Sequence, residues 1–437
     1  MLCIPLIYIT ERFADCNKQS IEAKLKIILQ MSLILTYGAR IPTVRVGRVA
    51  GQYGKPRSSP TEKLPDGRTV MCFKGDNING FDSESREHDP SRLVAGHFHS
   101  SATLNYIRAL IKGGFADLHQ SHHWDLGGVR DDWKRARYES IASSITDSLD
   151  FIDSIGVGKL VKASIREIDY FTSHEGLILD YEEAVTHYIP NPQLADSPCN
   201  DSVEHHMSQP HTTINGKYYN LGAHLLWIGN RTRDLNEAHI EYFRGIANPI
   251  GIKVDSSMSA TELISLVQLL DPYNIPGKIT LISRFGHDKI YKDLPPQIKA
   301  LQSIGRGNTI VWSCDPMHGN TYSTSEGIKT RNFDHIMTEL TATFNVHALN
   351  NSQLAGVHFE LTGEDVTECV GGPQELAENQ LKYRYHTNCD PRLNYLQSME
   401  IAFLLADSLR SRTSKKSIFR SDDSPRTPAV NNTNGVQ

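Results

Sequence analysis

Cysteine is scarce in this chain. Seven are scattered over 437 residues, at positions 3, 16, 72, 199, 314, 369 and 389, and no CxxC pair occurs. That excludes a disulfide scaffold and points to a reducing compartment. No apolar run approaches the roughly 18 residues that cross a bilayer. The opening Met1–Ile9 is apolar but short, with no basic leader and no small-residue cleavage site, so it does not read as a signal peptide. Neither sign of charge dominates: 45 Lys+Arg face 50 Asp+Glu, a net charge of −5 that lacks the footprint of a general nucleic-acid binder. No P-loop, GxGxxG, GxSxG or HExxH motif is present. A soluble cytoplasmic protein with no nucleic-acid or membrane partner is the expectation.

What is present is an alternation. Hydrophobic residues make up 39%, with 31 Gly and 20 Pro, an ordinary globular composition that excludes wholesale disorder, collagen and coiled coil. Short β-branched or apolar runs occur at 44–50, 116–120, 167–172, 225–228, 249–254, 279–284, 309–314 and 356–361, with 3–9 a further candidate. Helical patterns lie between them. Ile21, Leu25, Ile28 and Leu35 share one helix face that stops near Gly38. Ser259 and Glu262 form an S-x-x-E box ahead of Leu263, Val267 and Leu270. Further helices are expected at 100–111, 134–155, 332–346 and 394–409.

Strand–helix alternation over some 350 residues argues for an α/β fold with a parallel sheet, and eight or nine strands fit a closed barrel better than an open sheet. Residues 1–410 are expected to form one barrel domain with extra helices. Residues 187–217, rich in Pro, Asn, Ser and His, read as an inserted surface loop. Its His205, His206 and His211 are more simply a solvated loop than a metal site. Residues 411–437 read as a disordered tail.

In a (β/α)8 barrel the chemistry gathers at the carboxyl ends of the strands. Polar residues follow the expected strands here: Arg48, the Ser173-His174-Glu175 step, Asn230-Arg231, Lys253, Arg284, the Asp315–Asn320 step and Glu360. Singly each is most simply a solvated or structural residue. Together the basic ones form a cationic cluster suited to a small anion carrying phosphate or carboxylate. His318, Glu360 and Asp390 make a second set of a kind that suits Mn, Fe, Co or Zn. Their spacings match no local metal motif, so only a barrel would bring them together.

The chain resembles the class II (plant and microbial type) 3-deoxy-D-arabino-heptulosonate 7-phosphate (DAHP) synthases. The likeness is carried by Leu35-Thr36-Tyr37-Gly38, Val46 to Tyr53, Lys55-Pro56-Arg57-Ser58, Gly75 to Gly80, Thr172-Ser173-His174-Glu175, Asn248 to Lys253, Asp315 to Thr321, Leu361-Thr362-Gly363, Val366-Thr367-Glu368-Cys369 and Cys389 to Asn394. The resemblance implies a TIM barrel and the condensation of phosphoenolpyruvate with erythrose 4-phosphate, the entry step of the shikimate pathway. It assigns phosphoenolpyruvate to Arg48, Asn230, Arg231, Lys253 and Arg284, and the sugar phosphate to Lys55, Pro56, Arg57 and Ser58. It makes His318, Glu360 and Asp390 ligands of a divalent metal, manganese first and cobalt or another divalent ion next. Lys253, Arg284, His318 and Glu175 become the catalytic candidates, Glu175 as an acid or base or as a salt-bridge partner. The family also implies a homo-oligomer. Its first strand corresponds to 3–9, which leaves 116–120 outside the eight.

Two departures stand against the pattern. The family's fourth metal ligand is the cysteine of a Gly-Gly-Asp-Cys-Ala-Glu motif, and the matching stretch here, Leu6-Ile7-Tyr8-Ile9-Thr10-Glu11, puts Ile9 in its place. The chain also opens almost inside its first strand, so the N-terminal region is expected to be truncated or altered. The second departure is Asn230, where the family carries an acidic residue that helps place a water. Asn can hydrogen-bond there but cannot take a proton. Two readings follow: an active synthase, or an impaired relative that binds phosphoenolpyruvate as a regulatory or binding protein. A different metal-dependent aldolase on the same barrel is a third.

Overall fold

The computed structural model describes residues 2–8, 12–48, 50–51, 53–55, 59–64, 66–112, 124–155, 169–190, 216–387 and 389–420. Eight strands close into a barrel: β1 (Leu2–Tyr8), β2 (Thr43–Arg48), β3 (Tyr170–Glu175), β4 (Leu225–Ile228), β5 (Ile250–Val254), β6 (Ile279–Ser283), β7 (Val311–Cys314) and β8 (Leu354–Val357). Each pairs in parallel with its neighbour in chain order. β8 returns to β1 through Cys3 opposite Gly356, which closes the ring. The expected (β/α)8 barrel is therefore the fold.

The strands are apolar on both faces because the helices cover the outside while side chains fill the inside. All five residues of β5 and all five of β6 are buried. Helix α1 (Lys18–Ala39) follows β1. Two long additional helices, α2 (Pro90–Lys112) and α3 (Asp132–Ser154), lie between β2 and β3. The short α4 (Leu179–Ala184) follows β3, and α5 (Ala238–Gly245), α6 (Ala260–Leu270), α7 (Ile290–Ser303) and α8 (Phe333–Leu349) follow β4 to β7 in turn. The last helix, α9 (Tyr395–Arg420), packs against α3, where Tyr138 and Phe403 stack at 4.2 Å and 4°.

The helix starts are written locally. Ser259 caps α6 by accepting from the Glu262 amide, and Asn332 caps α8 through the Asp334 and His335 amides. α1 ends one residue past the expected Gly38, and its C-cap is Arg40 in the left-handed region at φ 55°, not a glycine.

Several boundaries move. β3 begins and ends three residues later than expected, since its buried end, Thr172 to Glu175, is polar and reads as loop. β8 covers 354–357, earlier than the expected 356–361. α9 runs eleven residues past the expected 409, into the stretch read as a disordered tail. The expected surface loop at 187–217 is founded on an antiparallel ribbon, Thr186–Pro190 against Gly216–Asn220. The 116–120 run, His205, His206, His211, Ile9 and residues 421–437 lie outside the described residues.

Candidate active site

Trp227 on β4 is the floor of the barrel mouth. The Arg48 guanidinium, at the end of β2, lies 5.2 Å from its ring centroid, and Lys253 Nζ, near the end of β5, lies 5.9 Å away. His358, just after β8, meets the same ring edge-on at 5.5 Å and 90°. Two cations over one indole ring gain from its quadrupole, and both are almost fully buried. The sequence reading placed Arg48 and Lys253 here but gave Trp227 and His358 no role.

The other cationic candidates divide. Arg284 follows β6 and is half-buried, and its amide donates to the Val254 carbonyl at 2.9 Å. Its Nε is buried with no hydrogen-bond partner among the described residues. Arg231 is exposed in the turn after β4. Asn230 is half-buried and its side-chain oxygen accepts from Arg233. Arg233 also donates to the Lys253 carbonyl at 3.0 Å, Asp255 Oδ1 at 3.1 Å and Ser257 Oγ at 2.7 Å. Arg233 thus ties the end of β4 to the end of β5. Its partners were not visible in the sequence, where it was only the last member of an Arg-Thr-Arg step.

Glu175 ends β3 and is buried. Its carboxylate lies against Gly229, where a Cβ would sit 1.9 Å from Oε1, so a side chain there would displace the carboxylate. The adjacent His174 serves the scaffold: its Nε2 meets the Glu182 carboxylate at 2.9 Å, and Asn220 Nδ2 donates to the same carboxylate at 2.7 Å.

The metal candidates do converge. His318, Glu360 and Asp390 each present one ligand atom, and these atoms all lie within 4.8 Å of one another. Two ligands bound to one ion at about 2.1–2.2 Å each stand up to about 4.4 Å apart. The three need only a small closure to share an ion. The His318 ring is oriented for this. Its Nδ1 is 2.7 Å from Asp315 Oδ2 and its Nε2 is 3.2 Å from Glu360 Oε1. A carboxylate on the far imidazole nitrogen is the usual outer support of a histidine ligand. The donor set therefore fits a divalent ion. The Asp390 loop is pinned by Glu368, which accepts from the amides of His386, Thr387 and Arg392.

Asp315 joins the two halves. Besides His318 it accepts from Lys253 Nζ and from the amides of Met317 and His318. Burial alone would raise its pKa, but His318 and Lys253 outweigh that and hold the carboxyl well below its usual range. Burial lowers the pKa of Lys253 although Asp315 opposes the change, and nearby Arg284 lowers it further. Burial, and then Lys253, pushes His358 well down, so its imidazole is neutral. Arg48 and Lys253 thus share the Trp227 ring with a neutral histidine, and the ionised Asp315 lies between Lys253 and His318.

A model of the class-II DAHP synthetase family matches residues 9–406. The chain belongs to the class-II DAHP synthetase family. It is 47% identical over 410 residues to a phospho-2-dehydro-3-deoxyheptonate aldolase of Neurospora crassa, a match covering 94% of this chain and 83% of that one. It is 43% identical to phospho-2-dehydro-3-deoxyheptonate aldolase AroG of Mycolicibacterium smegmatis, covering 92% and 81%. A protein of the same name from Streptomyces coelicolor is 42% identical, covering 92% and 83%. A crystal structure of a DAHP synthase from Thermotoga maritima aligns over 96% of this chain and 70% of its own, at 12% identity and a TM-score of 0.34.

Lys55 ends a two-residue strand, Gly54–Lys55, and Pro56, Arg57 and Ser58 fall outside the described residues. Ile9, which the family resemblance set at a metal-ligand position, does so too. Cys16, Cys72, Cys314, Cys369 and Cys389 are free thiols, and none of them joins the triad. No helix among the described residues is long and apolar enough to cross a membrane.

Proposed function

We propose that this chain condenses phosphoenolpyruvate with erythrose 4-phosphate to give DAHP and phosphate, the first step of the shikimate pathway. One observation carries the proposal. A cationic pocket around Trp227 and a three-ligand metal set open at one barrel mouth, joined through Asp315. The named relatives support an enzyme over an impaired, binding-only relative.

Arg48, Lys253 and Arg284, with Arg231 at the rim, bind the phosphate and carboxylate of phosphoenolpyruvate. Arginine forks match both groups, and the buried lysine adds a point charge. His318, Glu360 and Asp390 hold the divalent ion, manganese first and cobalt or another divalent ion next. When bound, that ion acts as a Lewis acid on the aldehyde of erythrose 4-phosphate. Asp315 keeps the His318 ring turned to the site and neutralises Lys253. The methylene carbon of phosphoenolpyruvate bonds to the aldehyde carbon, and the aldehyde oxygen gains a proton. Water adds at the neighbouring carbon and loses its protons as the ketone forms. Phosphate leaves with the bridging oxygen, its departing charge met by the arginine cluster. Glu175, buried against Gly229 at the end of β4, is the candidate to pass a proton. Asn230 positions Arg233 and gives the water at most a hydrogen bond. Lys55 to Ser58 approach the sugar phosphate, on the family resemblance. A homo-oligomer in the cytoplasm is part of the same proposal.

The test follows the carbon. With 13C-labelled phosphoenolpyruvate, erythrose 4-phosphate and Mn2+, mass spectrometry should find all three labelled carbons in a seven-carbon phosphorylated product. Labelled phosphoenolpyruvate recovered unchanged would refute the condensation.

A further inference from the structure

Two cations already sit on the carboxylates of the triad. Arg331 pairs with Glu360 through Nη1, and Lys329 pairs with Asp390 through Nζ. Both come from one hairpin, Thr321–Ser323 against Lys329–Arg331, beyond β7. Two apart on a strand, they project from the same face.

They are held very differently. Arg331 is fully buried, its Nε donates to Thr321 Oγ1 at 2.9 Å, and its Nη1 also donates to the Pro391 carbonyl. It is a fixed part of the wall. The Lys329 side chain keeps 42% of its surface exposed while Asp390 keeps 12%. Among the described residues Asp390 is the one partner of Lys329 Nζ. The Lys329 backbone is anchored, since Tyr385 Oη donates to its carbonyl at 2.6 Å. So the strand stays in place while a four-carbon stem is free to swing. The Asp390 loop cannot follow, because Glu368 pins it and Thr387 Oγ1 donates to the Asp390 carbonyl at 2.8 Å.

We propose that Lys329 is a displaceable counter-cation that competes with the divalent ion for Asp390. The ion takes the carboxylate and Lys329 moves into solvent, while Arg331 remains on Glu360. A buried carboxylate beside a partly buried one needs compensating charge, and a fixed arginine with a movable lysine supplies it at either step. The competition lowers the affinity for the ion and eases its exchange. This inference rests on the triad holding the ion.

The test uses the full chain stripped with chelator and then titrated with Mn2+ alone, read by calorimetry, with no substrate present. Lys329→Met should bind Mn2+ about twofold to fivefold more tightly than wild type, the range a partly exposed ion pair is worth. In parallel, reductive methylation followed by mass spectrometry should show Lys329 reacting several-fold faster once Mn2+ is added. Lys382, exposed and paired with Glu326 elsewhere, should not change. Equal or weaker Mn2+ binding by Lys329→Met overturns the proposal, and so does Lys329 labelling that Mn2+ slows or leaves alone. Glu360→Gln separates the two levels. If it leaves wild-type Mn2+ binding intact, the ion is not in the triad and the metal reading falls together with this one.

Discussion

Lys253 and Asp315 leave the barrel on β5 and β7, with β6 between them, and meet in a buried ion pair beneath the mouth. The same Asp315 carboxylate holds His318, so one aspartate sets both a lysine of the cationic cluster and a member of the candidate metal triad.

Asp315→Asn should therefore damage both halves at once. Mn2+ affinity should fall by about 10- to 100-fold, as loss of a support behind a histidine ligand does. The KM for phosphoenolpyruvate should rise in the same variant. Calorimetry and steady-state kinetics check this. A variant that loses only one of the two would show that Asp315 does not couple them.

Arg284 and Arg48 are expected to act through their forks. Arg284→Lys should lose about 10²-fold or more in kcat/KM, because an ammonium cannot reproduce two parallel hydrogen bonds to phosphate or carboxylate. Arg48→Lys should lose a comparable amount and also the stacking on Trp227. Full activity in either lysine variant would remove that residue from the anion site.

The loops bearing the site depend on Glu339 of α8. Its Oε1 accepts from the Phe285 and Gly286 amides, and its Oε2 accepts from Asn320 Nδ2 at 2.7 Å. Burial pushes its pKa up to about 8. Glu339→Gln turns one acceptor into a donor facing donors, and should cost about 1–3 kcal/mol in a urea unfolding curve. Wild-type stability in that variant would contradict this account of the loops.

Stability in acid should depend on His347, far from the chemistry. Its Nδ1 is 2.9 Å from Ser352 Oγ, its ring meets Trp312 edge-on, and burial lowers its pKa from 6.5 to about 4. The unfolded chain takes up this proton at a higher pH than the folded one. The contribution is therefore complete above pH 6.5 and is lost as the pH falls towards 4. Integrated, it is on the order of 3 kcal/mol. His347→Gln should flatten the stability–pH curve over that interval, and an unchanged slope would exclude His347 as its source.

The strands were legible where both faces are apolar. Ile250–Val254 and Ile279–Ser283 read within one residue of their true ends, because a fully buried parallel strand is a short unbroken apolar run. β3 misread because Ser173, His174 and Glu175 are buried polar residues, which look like loop until Glu182 and Gly229 are known to cover them. The strand-end cations were legible as a set, since a barrel carries its chemistry at that end. Arg233, His358 and Arg331 were not. Their roles come from contacts to residues 20 or more positions away, and the hairpin that carries Arg331 sits on no strand end. α9 extends past 409 through polar residues that composition alone assigns to a tail.

The central claim is that the cationic pocket and the triad act together on two substrates. The most direct measurement is phosphate release from phosphoenolpyruvate by the purified chain, with and without erythrose 4-phosphate, after chelation and again after Mn2+ is restored. The account predicts release only when both substrates and the ion are present, and none from His318→Ala under any condition. Release that survives chelation, or that proceeds without the sugar phosphate, would contradict it.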